Sequence, residues 1–230
     1  MHVPKRTART VLAGGKRPTQ VERSLRTRGA LLEAAAKGLS RYGYANLLLE
    51  QVAREAGYTR GALYHQFRDK QDLALAVVDW VDKTWWQEVG VLAEHEPDPA
   101  VALIAVARGH AVLCRRDVAR VMMALRVEFS DQDHPVAREV RRISKALVKR
   151  CASLVEAGRT SGSIPPGPPA KTVALAFLGA VEGAVISLAG QAPHDAVLAA
   201  RAAAGVLGLN GNEGEAGPLP LRADTADRRA

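Results

Sequence analysis

The stretch Leu47–Lys70, LLLEQVAREAGYTRGALYHQFRDK, narrows the possible folds of this chain more than any other. Leu49, Val52, Ala53 and Ala56 fall at i, i+3, i+4 and i+7, one apolar stripe of helical period. Gly57 follows where the chain must turn sharply, since glycine takes a positive φ without a Cβ clash. Thr59 then offers its hydroxyl as the cap of a second helix. In that helix Leu63 and Phe67 point inward, while Arg60, Gly61, Tyr64 and Arg68 share the opposite face with His65 at its edge. Small Ala53 lets the two helices cross closely. The pattern predicts a helix-turn-helix whose second helix presents hydrogen-bond donors toward a DNA groove.

The run Ala56–Lys70, followed by Asp72 and Leu73, resembles the signature of TetR-family transcriptional regulators. Upstream, Leu31-Leu32-Glu33-Ala34-Ala35 and Tyr42-Gly43-Tyr44 resemble that family's first helix and its exit. The resemblance covers Arg26 to about Leu75. It implies an all-α fold, with an N-terminal three-helix helix-turn-helix DNA-binding domain and a larger helical ligand-binding and dimerisation domain. It also implies phosphate contacts from Thr59, Tyr64, His65 and Lys70, and base-edge readout from Arg60. The side-chain chemistry agrees, because an arginine fork grips guanine O6 and N7 while a lysine grips phosphate as a point charge. Gly61 lets the backbone approach DNA, and Tyr58 either packs on a thymine methyl or staples the turn. At one place the chain departs from the family pattern. Where the first motif helix usually starts with Thr and a small hydroxyl residue, Leu47 and Leu48 stand here, and Asn46 is the nearest polar substitute.

The chain of 230 residues is 47% hydrophobic and 24% charged, ordinary globular material long enough for a sizeable core. Aromatics are only 4%, so Ala, Val and Leu fill the interior, which favours helices. A net charge of +8 favours polyanionic partners. Cys114 and Cys151 have no metal-ligand spacing and no secretory signal accompanies them, so a reduced, cytoplasmic setting is expected.

Four segments are expected. Residues 1–23 form a basic arm, punctuated by Pro and Gly and without apolar period, expected to be disordered when free. Residues 24–70 hold the helix-turn-helix domain, 71–208 the ligand-binding and dimerisation domain, and 209–230 a flexible tail. In the larger domain one helix should run from Lys70 to about Leu92, and two more should lie between Ala100 and Phe129. A long amphipathic helix from Val136 should close at Gly158. The helix from Ala170 to about Ala189 is apolar nearly all round and touches the roughly 20 residues of a membrane span. Glu182 in its middle and Lys171 at its start argue against a membrane; burial by its own domain and a partner subunit fits better.

Trp80, Trp85, His110, Met122, Phe129, Phe177 and Glu182 are candidates to line a cavity for the small-molecule inducer that the resemblance implies. Glu182 on an apolar helix needs a partner: a basic ligand, an arginine or its dimer mate. His110 and Cys114, four apart on one helical face, read as buried neighbours rather than metal ligands. Glu128, Asp131, Asp133 and His134 are the one acidic cluster that would support a different class, a helical metal-dependent hydrolase. A ligand-independent architectural DNA-binding protein is the other alternative. The expected function is a ligand-released homodimeric repressor on a near-palindromic duplex operator, with no catalytic residue, metal or cofactor.

Overall fold

The computed structural model describes residues 19–188 and 190–209, and every regular element among them is helical. Helix α1 (Gln20–Tyr42) starts at Gln20 rather than at Ser24. Thr19 and Glu22 form a reciprocal capping box, each side chain accepting from the other's backbone N–H. Residues 1–18 of the basic arm, and the tail from residue 210, lie outside the described residues.

Helices α2 (Leu49–Glu55) and α3 (Arg60–Gln66) have seven residues each, too few to hold themselves in water. Val52, Ala53, Leu63 and Phe67 share a core with Leu31, Ala35 and Leu39 of α1 and with Leu73 and Val77 of α4 (Lys70–Trp85). That core does not close within the N-terminal segment. Val121 and Leu125 of α7 (Val121–Glu128), Phe129, and Val136 and Val140 of α8 (Pro135–Ser161) complete it.

Helix α4 continues through a π-helical turn at Trp86–Gly90 into the short α5 (Val91–Glu94). The turn falls where the Trp85 and Trp86 rings meet edge to face, their centroids 4.9 Å apart. A second core joins α6 (Pro99–Leu113), the C-terminal half of α8, α9 (Ala170–Ser187) and α10 (His194–Leu207) through Leu103, Ala107, Val155, Phe177, Val181 and Ala203. Helix α8 runs past the expected stop at Gly158 and ends at Gly162. Gly158 is instead a point of close approach, where an added Cβ would meet Ile164 Cδ1 at 2.6 Å.

Among the described residues, α9 is the one helix long and apolar enough to cross a membrane. Its Val173, Ala174, Phe177, Val181, Ala184 and Val185 are buried in the second core, so one face belongs to the bundle. The opposite face carries Leu175, Ala176, Gly179, Gly183 and Ile186, all exposed. The small residues of this helix therefore divide, with Ala184 turned into the protomer and Gly179 and Gly183 turned out.

Asp195, in the first turn of α10, is the one buried charged residue among the described residues. Arg115, just beyond α6, donates to both of its oxygens, from Nε at 2.9 Å and Nη2 at 2.8 Å. These bonds hold the carboxyl below its ordinary range. A lowered folded-state pKa stabilises the fold above the unfolded value of about 3.9, and that stability is lost as pH falls through the folded pKa. Arg115→Ala is expected to cost about 3 kcal/mol at neutral pH, since it leaves a buried charge unpaired. Urea denaturation at neutral pH should show this, and the gap between variant and parent should narrow as pH falls, because protonation of Asp195 removes the unpaired charge and takes from the parent the contribution of the pair.

Candidate nucleic-acid interface and cavity

Gly57 adopts φ +75° at the corner between α2 and α3, and the Tyr58 N–H closes the turn on the Ala53 carbonyl at 2.8 Å. Thr59 caps α3, its hydroxyl accepting from the Ala62 N–H at 3.2 Å. With Leu63 and Phe67 drawn into the core, Thr59, Arg60, Gly61, Tyr64, His65 and Arg68 are all exposed; Tyr58 is half-buried. Helix α1 pins the far end of α3. Arg28 donates to the Gln66 carbonyl at 3.2 Å and lies 4.5 Å from the Phe67 ring centroid, while the Gln66 amide donates to Ser24 Oγ.

Two of the cationic groups are already held. Arg60 pairs with Glu50 in the first turn of α2 and stands 5.4 Å from the Tyr64 ring centroid. Lys70, at the start of α4, donates to the Ala45 carbonyl at 2.8 Å and sits 4.8 Å from the Tyr44 ring centroid. Burial lowers its pKa, against the opposing pull of Glu128. The ammonium has three donors, so the Ala45 contact leaves others for a phosphate.

Asn46 does not cap α2: its amide donates back to the Tyr42 carbonyl at 3.1 Å, and Leu48 occupies the N-cap position with no side-chain cap bond. Leu47 accounts for the departure from a hydroxyl residue. It is buried, close enough to Gly38 that a Cβ there would meet its Cδ1 at 2.6 Å. Core packing has replaced a polar cap.

The loop between α1 and α2 is held from α7. Glu128, the last residue of α7, accepts from the Tyr44 N–H at 2.5 Å and from the Ala45 N–H at 2.7 Å. Gly43, at φ +73°, makes room for it: a Cβ there would lie 2.6 Å from Glu128 Oε2. Tyr44 packs on Phe129 and His134, whose rings stack with centroids 4.8 Å apart. The acidic cluster is thereby dispersed. Glu128 holds the loop, His134 caps α8 by accepting from the Val136 N–H, and Asp133 pairs with Arg138. Among the described residues no group of three His, Cys, Asp or Glu is placed to hold a metal ion.

A cavity of about 200 Å³ lies among α4, α6, α7, α8 and α9. It brings together Trp85, His110, Met122 and Glu182 of the expected set, with Trp86, Met123 and Leu147. Trp80, Phe129 and Phe177 are not on its wall. Trp80 and Phe129 belong to the first core and Phe177 to the second, because each points along a stripe that another helix covers. Sequence pattern does not mark Arg126, Asp82, Arg142 or Ser144, yet all four line the cavity.

Arg126 is the partner that Glu182 needs, its Nη1 lying 2.6 and 2.8 Å from the two carboxylate oxygens; Nη2 reaches Ser144 at 3.4 Å. Trp85 donates its indole N–H to His110 Nδ1 at 3.1 Å, which places the imidazole proton on Nε2, 3.5 Å from Cys114 Sγ. Burial lowers the His110 pKa and pushes the Cys114 thiol up to about 12. Both groups stay uncharged at neutral pH. Burial also raises the Asp82 carboxyl, against the pull of Arg142.

The profile of bacterial regulatory proteins of the tetR family matches residues 31–77, which hold α2, α3 and most of α1. The transcriptional regulator CymR of Pseudomonas putida is 42% identical over 66 residues, 29% of this chain and 32% of its own length. Residues 31–77 of this chain are thus a tetR-family segment. The A-factor receptor protein of Streptomyces griseus is 27% identical over 164 residues, 68% of this chain and 54% of that protein. The chain thus spans between about a third and a half of these two curated relatives. Two solved structures share the fold of this chain. A TetR-family regulator from Agrobacterium tumefaciens has a TM-score of 0.70 at 21% identity, covering 80% of this chain and 97% of its own. AibR, in complex with isovaleryl coenzyme A and operator DNA, has a TM-score of 0.64 at 20% identity, covering 79% and 96%.

The Glu128 contact can be tested on the chain alone. Gly43→Ala adds a Cβ where the carboxylate sits and strains a positive φ, so it should cost about 1–3 kcal/mol. Thermal unfolding measures the loss, and hydrogen exchange should show the Tyr44 and Ala45 amides losing protection ahead of α1.

Proposed function

We propose that this protein is a sequence-specific DNA-binding transcriptional regulator, a homodimeric repressor of the cytoplasm that a small molecule releases from its operator. The observation that carries the reading is the outer face of α3, where Arg60, Gly61, Tyr64 and His65 stand exposed beside the Thr59 cap. A second copy would bind through the outward face of α9, where Ile186 stands with Ala176, Gly179 and Gly183. Two recognition helices about 34–36 Å apart would then enter successive major grooves of a near-palindromic site. AibR, with isovaleryl coenzyme A and operator DNA in one complex, supports a ligand in the helical domain.

Release follows from α7. Met122, Met123 and Arg126 face the cavity, and Glu128 at the same helix's end holds the Tyr44–Ala45 loop, to which Lys70 is also bonded. A ligand that displaces α7 pulls the Glu128 carboxylate from that loop and changes the pose of α3. The ligand must bind the displaced state more tightly, by a coupling on the order of 1–3 kcal/mol.

Selection of duplexes from a random library should return one near-palindromic sequence; an unenriched pool would sink the reading. On the selected site, Arg60→Ala should relax preference at one or two base positions and cost about 1–3 kcal/mol. Lys70→Ala should weaken all sequences alike and flatten the log–log salt slope by about one unit per lost phosphate contact. Gly179→Arg and Ile186→Glu should give folded monomers by light scattering, because they charge only the outward face. Ala184→Arg should instead unfold the protomer.

A further inference from the structure

A second space adjoins the cavity. Arg126 and Ser144 line both it and a groove of about 690 Å³ between α8 and α9. The groove floor is apolar, formed by Val148, Ala152 and Leu175, and its rim carries Arg141, Lys145, Lys149 and Lys171. No carboxylate lies among the described residues lining the groove. Other cations of α8 are matched: Arg138 pairs with Asp133, Arg142 with Glu139 and Arg150 with Glu94. Arg141 lies 4.0 Å from Asp133 and Arg126 binds Glu182, whereas Lys145, Lys149 and Lys171 have no ion-pair partner among the described residues, so the charge of these three lysines is uncompensated.

Arg126, Glu182 and Arg142 on the cavity wall are each in an ion pair, while burial favours the neutral form of Asp82. Glu182 binds Arg126, and Arg142 binds Glu139, so a lone charged group placed there would have to break a partly buried pair. At about 30 Å³ for each water-sized group, the cavity holds roughly seven such groups. Its apolar walls suit a compact hydrocarbon. The guanidinium of Arg126 stands where the two spaces meet and has five N–H donors, more than Glu182 and Ser144 use.

We infer that the ligand of this protein is an amphipathic polyanion, a compact apolar group seated in the cavity and joined past Arg126 to a polyanionic head held in the Lys145–Lys149–Lys171 groove. The inference names the ligand class for the proposed regulatory site. Its binding test needs no DNA, so it stands or falls apart from the operator reading.

Calorimetry on the full chain would compare hexanoyl-coenzyme A, hexyl diphosphate, coenzyme A, hexanoate and hexylamine. The two polyanionic amphiphiles should bind more tightly than hexanoate by on the order of tenfold, from several added surface ion pairs. That advantage should fade with salt and vanish in the combined variant Lys145→Glu, Lys149→Glu, Lys171→Glu. Met123→Trp, which fills the cavity, should make hexanoyl-coenzyme A bind no better than coenzyme A. Circular dichroism would establish that both variants are folded. Stronger binding of hexanoyl-coenzyme A than of hexyl diphosphate would assign the head to a nucleotide, and equal binding would assign it to phosphate charge alone; either supports the class. The inference is overturned if hexanoate or hexylamine binds as tightly as the polyanions, if none of them binds, or if the charge-reversed variant keeps the advantage.

Discussion

A helix of seven residues makes too few internal hydrogen bonds to persist in water, so α3 can present its donors only while other elements hold it. Helix α1 does so at one end, through Arg28 and Ser24 on Gln66, and the Leu63–Phe67 stripe does so along its inner face. The loop before α2 depends in turn on Glu128, which supplies acceptors for two adjacent N–H groups from a helix on the other side of the junction. A carboxylate bonded to backbone N–H groups is among the stronger neutral-to-charged contacts a protein makes. The exposed face of α3 is therefore supported by α7, and the first core cannot be separated from Val121, Leu125 and Phe129.

The same helix borders the cavity, which makes α7 the element that both ends of the molecule share. Its cavity face combines polarizable Met122 and Met123, which adapt to irregular shapes, with Arg126. The Arg126–Glu182 pair lies partly buried between helices α7 and α9, so its geometry follows the spacing of those two helices. A shift of α7 is felt at once by Glu182 on one side and by Tyr44 and Ala45 on the other. Coupling between sites needs such a contiguous element with two arrangements. The Trp85–His110 hydrogen bond and the raised Cys114 thiol give the far wall a neutral, fixed character.

Much of the DNA-facing unit was legible in the chain because its signals are local. The i, i+3, i+4 stripe of α2, the positive φ required at Gly57, the Thr59 cap and the inward Leu63 and Phe67 are all set by neighbours within a few positions. Backbone sterics and capping act over that range, so the sequence by itself determined the turn, the exposed face of α3 and the succession of helices. It also determined that Glu182 must be paired. What only the tertiary structure decided is the identity of partners: Arg126 for Glu182 at a separation of 56 residues, Arg115 for Asp195 at 80, and Glu128 for Tyr44 at 84. Periodicity reports which face of a helix is buried and is silent on what buries it. Trp80, Phe129 and Phe177 lie on such faces as much as Trp85 and Met122 do, and only the crossing of α4, α7 and α8 separates core from cavity wall.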